Sequence, residues 1–317
     1  MEVKDILSWV KQEVDNFLLK FPQWVIIIWW ATATGKTALS LLLSEIYPVE
    51  IISADSRQVY RFMDIGTDKV PLSYRKIIPH HQIDIVDPDY FFTAWERKQQ
   101  IEKIIPQILS RWKIPIVVGG TGLYIDMIYK NFPMPDAPPD FEFRKKLYMQ
   151  EKEHPWSLYQ ELQKIDPKEA QKLHPNSLRY IVRALEIYYK TGKPKSEFAY
   201  EQPVKRPLLM IGLRRQKDDT NRRINKRILE QIEEGLVDEV RWLLKRYDPS
   251  LQSMQWLGYK EIVWYLQGKY DLDKAIEILK RNTHHYAKKQ RTWFRRYISD
   301  SKVSPKPNVI YKLFNLS

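Results

Sequence analysis

The chain has 317 residues, of which 44% are hydrophobic, and it carries a formal net charge of +13. It contains no cysteine, which excludes disulfides, thiol catalysis and cysteine-ligated zinc, and no apolar stretch approaches the roughly 20 residues that span a bilayer. A positive surplus of this size favours a polyanionic partner such as nucleic acid, although a basic but otherwise ordinary surface is the alternative.

The N-terminal 22 residues predict a helical extension. Apolar and charged residues alternate at helical spacing up to Lys20, and the segment lacks the apolar centre of a secretory signal. We therefore expect a cytoplasmic protein without a membrane partner, and we expect it to be a monomer.

A phosphate-binding loop is predicted next. The apolar run 25–28 is followed by Thr-Ala-Thr-Gly-Lys-Thr at residues 32–37 and then by an apolar helix. In such a loop backbone N–H groups surround an oligophosphate, the lysine neutralises it and the threonine hydroxyl can ligate Mg²⁺. The motif is incomplete because Trp30 replaces its first glycine, so we expect a strained turn or an indole in the anion's space. A chance Gly-Lys-Thr at the start of an ordinary helix is the alternative.

Short apolar runs alternate with helical patterns along much of the chain. The runs that predict strands are residues 25–28, 51–52, 83–86, 114–118 and 208–213. This alternation predicts an α/β fold with a P-loop NTPase-like parallel sheet flanked by helices. Ligands bind beyond the carboxyl ends of such strands. We therefore expect residues 35–37, 55–56 and 119–122 to converge on one edge of the sheet.

A proline-rich segment at residues 132–139 interrupts the pattern and predicts a stiff hinge. Beyond it, residues 133–205 predict a helical insertion domain without strands. The α/β core is predicted to comprise residues 23–132 and 206–317, and everything after the strand at 208–213 is predicted to be a helical C-terminal part.

Three residues outside the loop could carry chemistry. Asp55 follows a buried strand, where a carboxylate can accept a proton or hold a metal, and a turn or helix cap is the alternative. Thr121 lies between glycines, where the backbone can approach a ligand, unless this is a plain turn. Arg223, beside Arg222, could stabilise charge on a leaving group, unless both lie on a solvated helix face.

The last predicted helix has a distinctive composition. Residues 280–299 include seven Lys or Arg, two His and no acid, with Tyr286, Trp293 and Tyr297 on a second stripe. A basic face with interleaved aromatics suits phosphate contacts and base stacking. We interpret the aromatics as facing inward and the lysines and arginines as facing a polyanion.

Longer motifs make the chain resemble the bacterial tRNA dimethylallyltransferases, of the tRNA isopentenyltransferase (IPP transferase) family. The resemblance runs in order from about residue 25 to 296. Its motifs are residues 51–60, 63–67, 79–85, 118–124, 174–176, 183–186, 234–240, 258–261 and 287–293.

The resemblance implies a reaction and a site. The dimethylallyl group would pass from its diphosphate to N6 of the tRNA adenosine just 3′ of the anticodon, and the adenine would have to be unstacked. Asp55 would be the general base, Thr121 and Arg223 would assist catalysis, and Mg²⁺ would lie near Thr37. Diphosphate binding would fall to Thr32, Ala33, Thr34, Gly35, Lys36 and Thr37. The tRNA anticodon stem-loop would contact Asp55, Ser56, Arg57, Gln58, Arg179, Tyr180, Ile181, Val182, Arg183, Gln255, Trp256, Leu257, Gly258, Tyr259 and Lys260.

Three other functions remain open from the residues. The loop is shared with phosphoryl kinases, and a related prenyltransferase could act on free adenine nucleotides. The basic helix and the helical insertion favour tRNA over both. A tRNA-binding homologue with impaired catalysis is the third alternative, because Trp30 replaces the first loop glycine.

Overall fold

The computed structural model describes residues 2–303 and 306–316. The chain divides into two compact units. The first comprises Met1–Phe92, Gln100–Tyr129 and Val204–Ser317, and the second comprises Thr93–Gln99 and Lys130–Pro203.

The first unit is built on a six-stranded sheet. Its strands are β1 (Val25–Trp29), β2 (Val49–Ser53), β3 (His80–His81), β4 (Ile114–Gly119), β5 (Leu208–Arg215) and β6 (Val309–Leu316). Their order is β3-β2-β4-β1-β5-β6, and every neighbouring pair is parallel. All five residues of β1 and of β2 are buried, as the near-continuous apolar runs of a sheet covered on both faces require. The predicted α/β class is confirmed.

Helices follow most strands. In chain order they are α1 (Leu7–Lys20), α2 (Lys36–Ser44), α3 (Leu72–Ile77), α4 (Ala94–Ser110), α5 (Gly122–Tyr129), α6 (Phe141–Glu153), α7 (Ser157–Ile165), α8 (Pro167–Ala170), α9 (Leu178–Thr191), α10 (Lys217–Glu233), α11 (Leu236–Leu244), α12 (Tyr259–Leu266) and α13 (Leu272–Val303). Short 3₁₀ helices occupy Val3–Ile6, Lys195–Phe198 and Ser253–Gln255. None of the helices in the described part of the chain combines the length and apolarity needed to cross a membrane.

The predicted N-terminal extension belongs to the main core. Ile6, Val10, Val14 and Phe17 are almost fully buried, and they share one apolar cluster with strand residues that include Ile26. The amphipathic pattern of α1 therefore seals one face of the sheet.

Two predictions of local structure were wrong. Residues 83–86 form no strand, because Gln82 and Asp84 have φ of 66° and 55°, which turn the backbone out of the extended conformation. Only an isolated bridge joins Tyr60 to Val86, and β3 lies earlier in the chain. The C-terminal part is not helical throughout either, because β6 pairs with β5 along its whole length. The β-branched and aromatic residues of β6 suit an edge position in this sheet.

The second unit is helical. Leu147, Leu158, Leu162 and Leu185 form its core on α6, α7 and α9. Glu186, also on α9, is fully buried and accepts hydrogen bonds from the Arg144 side chain and the Asp140 backbone. The helices at residues 141–191 lie within the predicted insertion of residues 133–205.

Candidate active site

A cavity of about 390 Å³ opens beyond the carboxyl ends of β1, β2 and β4. Its lining includes Lys36 and Thr37 of the predicted loop, Asp55 after β2, Gly120 after β4, and Arg223 on α10. The three polar segments predicted to converge on one sheet edge therefore surround one space. Parallel strands bring them together because all of them end at the same edge.

The front of the loop departs from the expectation for Trp30. Its indole is 3% exposed and stacks on Phe294 of α13 at 6.1 Å between ring centroids and 21° between planes. Trp30 lies outside the described residues that line the cavity, so its side chain leaves the anion's space free. Its φ of 153° does lie in a region that L-residues rarely adopt. The expectation of strain agrees with the backbone, whereas the expectation of a blocked cavity was wrong.

Gln290 on α13 joins the two loops that flank the cavity. Its Oε1 accepts a hydrogen bond from the Thr32 N–H at 2.9 Å, and its Nε2 donates to the Gly120 carbonyl at 2.8 Å. It is only 7% exposed and lines the cavity. The sequence did not single out Gln290, because a glutamine among lysines and arginines is expected to face solvent. The apolar residues Ala287 and Phe294, three residues before it and four after it, could have indicated that Gln290 lies on the buried face of the helix.

The back of the loop presents polar groups to the cavity. Gly35, the N-cap residue immediately before α2, has φ of 100°, a conformation that glycine adopts without strain. The Lys36 Nζ donates to the Ala31 carbonyl at 2.7 Å. Burial first, and then the nearby Arg227 charge, lower the pKa of Lys36 to about 8, although the Asp55 charge opposes the shift. Lys36 therefore loses its proton more readily than an ordinary lysine, and a bound anion would stabilise its charged form.

Two arginines on α10 face the loop. The Arg223 Nε donates to the Ala33 carbonyl at 3.2 Å. Arg227, one helical turn later, donates to the Thr32 hydroxyl at 3.2 Å and pairs with Asp68 at 2.8 Å. Arg227 was missed by sequence reasoning, although its position four residues after Arg223 places it on the same helix face.

Asp55 lies in the turn that follows β2 and lines the cavity. Its Oδ1 accepts the backbone N–H of Arg57 at 2.8 Å, which fixes the carboxylate in a tight turn after β2. The Ser53 hydroxyl donates to the Gln58 Oε1 at 2.8 Å beneath this turn. The turn therefore holds the carboxylate of Asp55 at the cavity wall.

Thr121 is placed behind the cavity lining. Its Oγ1 accepts the Ser56 N–H at 3.2 Å, and it is hydrogen-bonded to the Tyr286 hydroxyl. Tyr286 itself lines the cavity, and burial, followed by the negative charge of Asp55, raises the pKa of its phenol. Thr121 thus supports Ser56 and Tyr286 beside Asp55.

The tRNA-contacting residues predicted in the first unit fall into two groups. Arg57, Gln58, Leu257 and Gly258 line the cavity, and the Arg57 guanidinium lies 5.0 Å from the ring of Tyr286. Gln255 is exposed, Trp256 packs edge-on to a neighbouring ring, and Lys260 lies over the ring of Trp264.

One of the predicted contact residues, Tyr259, differs from the others in its environment. It is fully buried and donates its hydroxyl hydrogen to Glu239 at 2.7 Å. The Glu239 carboxylate also accepts the backbone N–H groups of Asp64 and Ile65. The side chain of Tyr259 is therefore inaccessible to RNA and instead braces the segment after β2.

The second unit shows a similar division along α9. Arg179 and Tyr180 are exposed, whereas Ile181 and Val182 are each 1% exposed and pack in the core. Arg183 donates to the Ala137 carbonyl at 2.8 Å. Arg179, Tyr180 and Arg183 therefore keep exposed or partly exposed side chains, whereas the amphipathic helix turns Ile181 and Val182 inward.

The basic helix α13 has the expected two-sided character. Phe294 and Tyr297 are fully buried, while Lys288, Lys289 and Arg295 are exposed. Trp293, predicted to face inward, is 37% exposed. The inward-facing aromatics anchor the helix, and its cations remain available on the outer face.

Oxygen donors at the cavity could hold Mg²⁺. Thr37 places a hydroxyl there and Asp55 places a carboxylate there. The described residues contain no group of three or more His, Cys, Asp or Glu side chains able to hold a metal by themselves. This donor set fits the usual mode of Mg²⁺ in phosphate sites, in which one or two protein oxygens complement substrate phosphates and water.

Comparisons with known proteins point to a single family. The family model described as IPP transferase matches residues 58–297. The tRNA dimethylallyltransferase of Dictyoglomus turgidum is 48% identical over 282 residues, covering 88% of this chain and 86% of that protein. The tRNA dimethylallyltransferase of Thermotoga maritima is 43% identical over 274 residues, covering 86% and 90%.

Solved structures agree with these relatives. The full-length tRNA isopentenylpyrophosphate transferase of Bacillus halodurans is 39% identical, with a TM-score of 0.64 over 92% of this chain and 90% of that one. A eukaryotic dimethylallyltransferase captured acting on tRNA is 32% identical, with a TM-score of 0.78 over 92% of this chain and 74% of that one.

Proposed function

The chain belongs to the IPP transferase family, and from this premise we propose that it transfers the dimethylallyl group of dimethylallyl diphosphate to N6 of the tRNA adenosine immediately 3′ of the anticodon. The observation that carries the proposal is the single cavity that holds both the phosphate-binding loop and Asp55. We further propose that the protein acts as a monomer in the cytoplasm and contacts the anticodon stem-loop.

The reaction exchanges one bond for another. The C1–O bond of the prenyl diphosphate breaks, its electron pair leaves with the diphosphate, and the N6 lone pair of adenine forms the new C1–N bond. The Asp55 carboxylate takes the proton that N6 loses. Lys36 and Arg223 stabilise the charge that develops on the leaving diphosphate, which is the interaction that lowers such a barrier most.

Magnesium fits this arrangement as a partner of the diphosphate. The Thr37 hydroxyl would hold it within the same cavity, which leaves the Asp55 carboxylate available as the base. When bound, the ion would neutralise diphosphate charge. The backbone N–H groups of the loop and the Lys36 ammonium orient the anion independently of it.

The surroundings of the cavity suit an RNA substrate. The target base must leave its stack to bring N6 into the cavity, and Arg57 and Tyr286 offer a cation and a ring at the wall. The exposed cations of α13 would contact phosphates outside. This combination favours tRNA over a free nucleotide, for which the basic outer face would be unnecessary.

The deciding experiment incubates the protein with labelled dimethylallyl diphosphate and unmodified tRNA, followed by nucleoside analysis. We expect N6-dimethylallyladenosine at the position 3′ of the anticodon. Asp55→Asn should lower kcat by about 10²–10⁴-fold. Asp87→Asn, which removes an exposed carboxylate paired with Arg61, is the matched control and should leave kcat unchanged. Label in free AMP, or ATP turnover without tRNA, would contradict the proposal.

A second measurement tests whether the cations of α13 contact the phosphates of tRNA. Affinity for tRNA should fall steeply with salt because phosphate contacts release counterions. Replacing Lys288 and Lys289 by glutamine should reduce the slope by about one to two counterions. The same change at Lys11 and Lys20 on α1 is the control. Equal slopes in both double variants would show that the cations of α13 only face solvent.

A further inference from the structure

The N-terminal residues pack against the outer side of the phosphate-binding loop. Val3 is 5% exposed, and a Cβ placed on Gly35 would lie only 2.5 Å from its Cγ2. Ile6 is fully buried in the main apolar cluster. The segment 2–6 is therefore seated on the loop and anchored in the core.

Glu2 reaches two arginines from this position. Its carboxylate accepts from the Arg215 Nη2 at 2.8 Å and lies 3.3 Å from the Arg223 Nη1. Both arginines also hold the loop itself. The Arg215 Nε donates to the Thr34 carbonyl at 3.4 Å, and the Arg223 Nε donates to the Ala33 carbonyl at 3.2 Å.

These bonds fix the direction of two peptide groups. In a planar trans peptide the C=O of one residue and the N–H of the next point in opposite directions. The arginine bonds to the carbonyls of Ala33 and Thr34 therefore also fix the directions of the N–H groups of Thr34 and Gly35. Ala33 has φ of 62°, a left-handed conformation that persists only where neighbouring groups impose it.

We infer that Glu2 is a positioning residue for diphosphate binding, acting through Arg215 and Arg223 on the orientation of the loop peptides. The inference rests on the proposed function for the identity of the anion. Glu2 lies outside the described residues that line the cavity, so it acts through the arginines and not by touching the ligand.

Glu2 could also weaken diphosphate binding, and the direction of the change in affinity distinguishes this possibility from positioning. A carboxylate beside Arg223 could compete with the diphosphate for that cation. Competition predicts tighter anion binding when Glu2 is neutralised, whereas positioning predicts weaker binding. The side chain of Glu2 is 60% exposed, so solvent screens its direct repulsion of the anion, which favours positioning.

The substitution Glu2→Gln leaves the fold supported. Arg215 is fully buried but keeps its ion pair with Asp219 at 2.8 Å, so the guanidinium retains a counter-charge. Glu13→Gln is the matched control on the same N-terminal segment. It breaks the pair between Glu13 and Lys312 at 2.7 Å, which joins α1 to β6.

The experiment measures the Kd of inorganic diphosphate by calorimetry, together with KM for dimethylallyl diphosphate and kcat at saturating tRNA. For Glu2→Gln we expect Kd and KM to rise about tenfold, with kcat unchanged. This is the lower end of the roughly 10–100-fold range seen when a residue that orients a ligand's direct partners is replaced. Glu13→Gln should match wild type. Unchanged or tighter diphosphate binding in Glu2→Gln, or a fall in kcat with Kd unaltered, would overturn the inference. If wild type transfers no prenyl group, the proposed function fails instead.

Discussion

The two halves of the phosphate-binding loop are held by different forces. The front half, residues 30–32, is fixed mainly by α13, through the stacking of Phe294 on Trp30 and the hydrogen bond of Gln290 to Thr32, while Arg227 adds one charged donor to the Thr32 hydroxyl. The back half, residues 33–37, is held by charged groups, with Arg215 on the Thr34 carbonyl and Arg223 on the Ala33 carbonyl.

The difference explains how the loop can lack its first glycine. The side chain of Trp30 packs on α13 and not in the cavity, so its contribution is to hold the backbone in place. The back half keeps Gly35, Lys36 and Thr37, and all three residues line the cavity. At the front, Trp30 can replace the motif glycine because that position only has to hold the backbone in place. At the back, the motif residues are present at the positions that would bind the anion.

The largest expected effect is on stability, at the front. Trp30→Ala removes a buried indole and should lower the free energy of unfolding by about 3–5 kcal/mol. Diphosphate affinity of the folded protein should change little. Chemical denaturation measures the first quantity and calorimetry the second. Trp9→Ala, which removes a tryptophan that is 54% exposed, is the control and should cost less than about 0.5 kcal/mol.

A companion variant sharpens this result. Trp30→Gly also loses the indole, but glycine adopts a φ of 153° without strain. It should therefore unfold at higher denaturant than Trp30→Ala, by roughly 1 kcal/mol. A glycine variant less stable than the alanine variant would show that the backbone at residue 30 stores no strain.

The reverse pattern is expected at the back. Lys36→Met removes an ammonium that would meet the diphosphate and should weaken its binding by roughly 2–5 kcal/mol, about 30-fold or more. Stability should hold or rise, because burial disfavours the charge on Lys36 in the free protein. Calorimetry and denaturation on the same preparation test both parts. A large loss of stability in Lys36→Met with normal diphosphate binding would show that the back half, like the front half, serves mainly to stabilise the fold.

The link between the front half and the β4 loop should show a smaller effect. Gln290→Leu leaves the Thr32 N–H and the Gly120 carbonyl without their partner and should lower the unfolding free energy by about 1–3 kcal/mol. Gly120→Ala should act on the same bond, because its Cβ would lie 2.3 Å from the Gln290 Nε2. The double variant should then cost less than the sum of the single ones. Additive losses would mean that the two positions act independently.

The most gradual effect is a pH dependence. The pKa of Lys36 is lowered to about 8 from 10.5, so above pH 8 the free protein loses the charge that binds the anion. Affinity for dimethylallyl diphosphate should fall up to tenfold per pH unit between pH 8 and 10. The unfolded chain binds the proton in this range and the folded chain does not, so the contribution of Lys36 to stability rises with pH. Lys36→Arg, whose guanidinium stays charged, should bind independently of pH across the same range.

Local sequence was sufficient for the α/β class and for the edge of the sheet that carries the site. Continuous apolar runs of Ile and Val specify buried parallel strands, and a lysine after Gly35 at a helix start specifies an anion site. These properties depend on side-chain type and on neighbours along the chain. The same reasoning failed at residues 83–86, where positive φ values at Gln82 and Asp84 broke an apparently regular run.

Tertiary structure alone decided which residues complete the site. Gln290 is 258 residues from Thr32, and Arg227 is 195 residues from it, yet both bond to that residue. It also decided that Trp30 packs on α13 and that Tyr259, Ile181 and Val182 face inward. Contacts between distant segments depend on how helices pack against the sheet, which no local pattern encodes. For that reason, the family motif predicted where the diphosphate would bind, while the groups that hold its loop in shape became visible only in the fold.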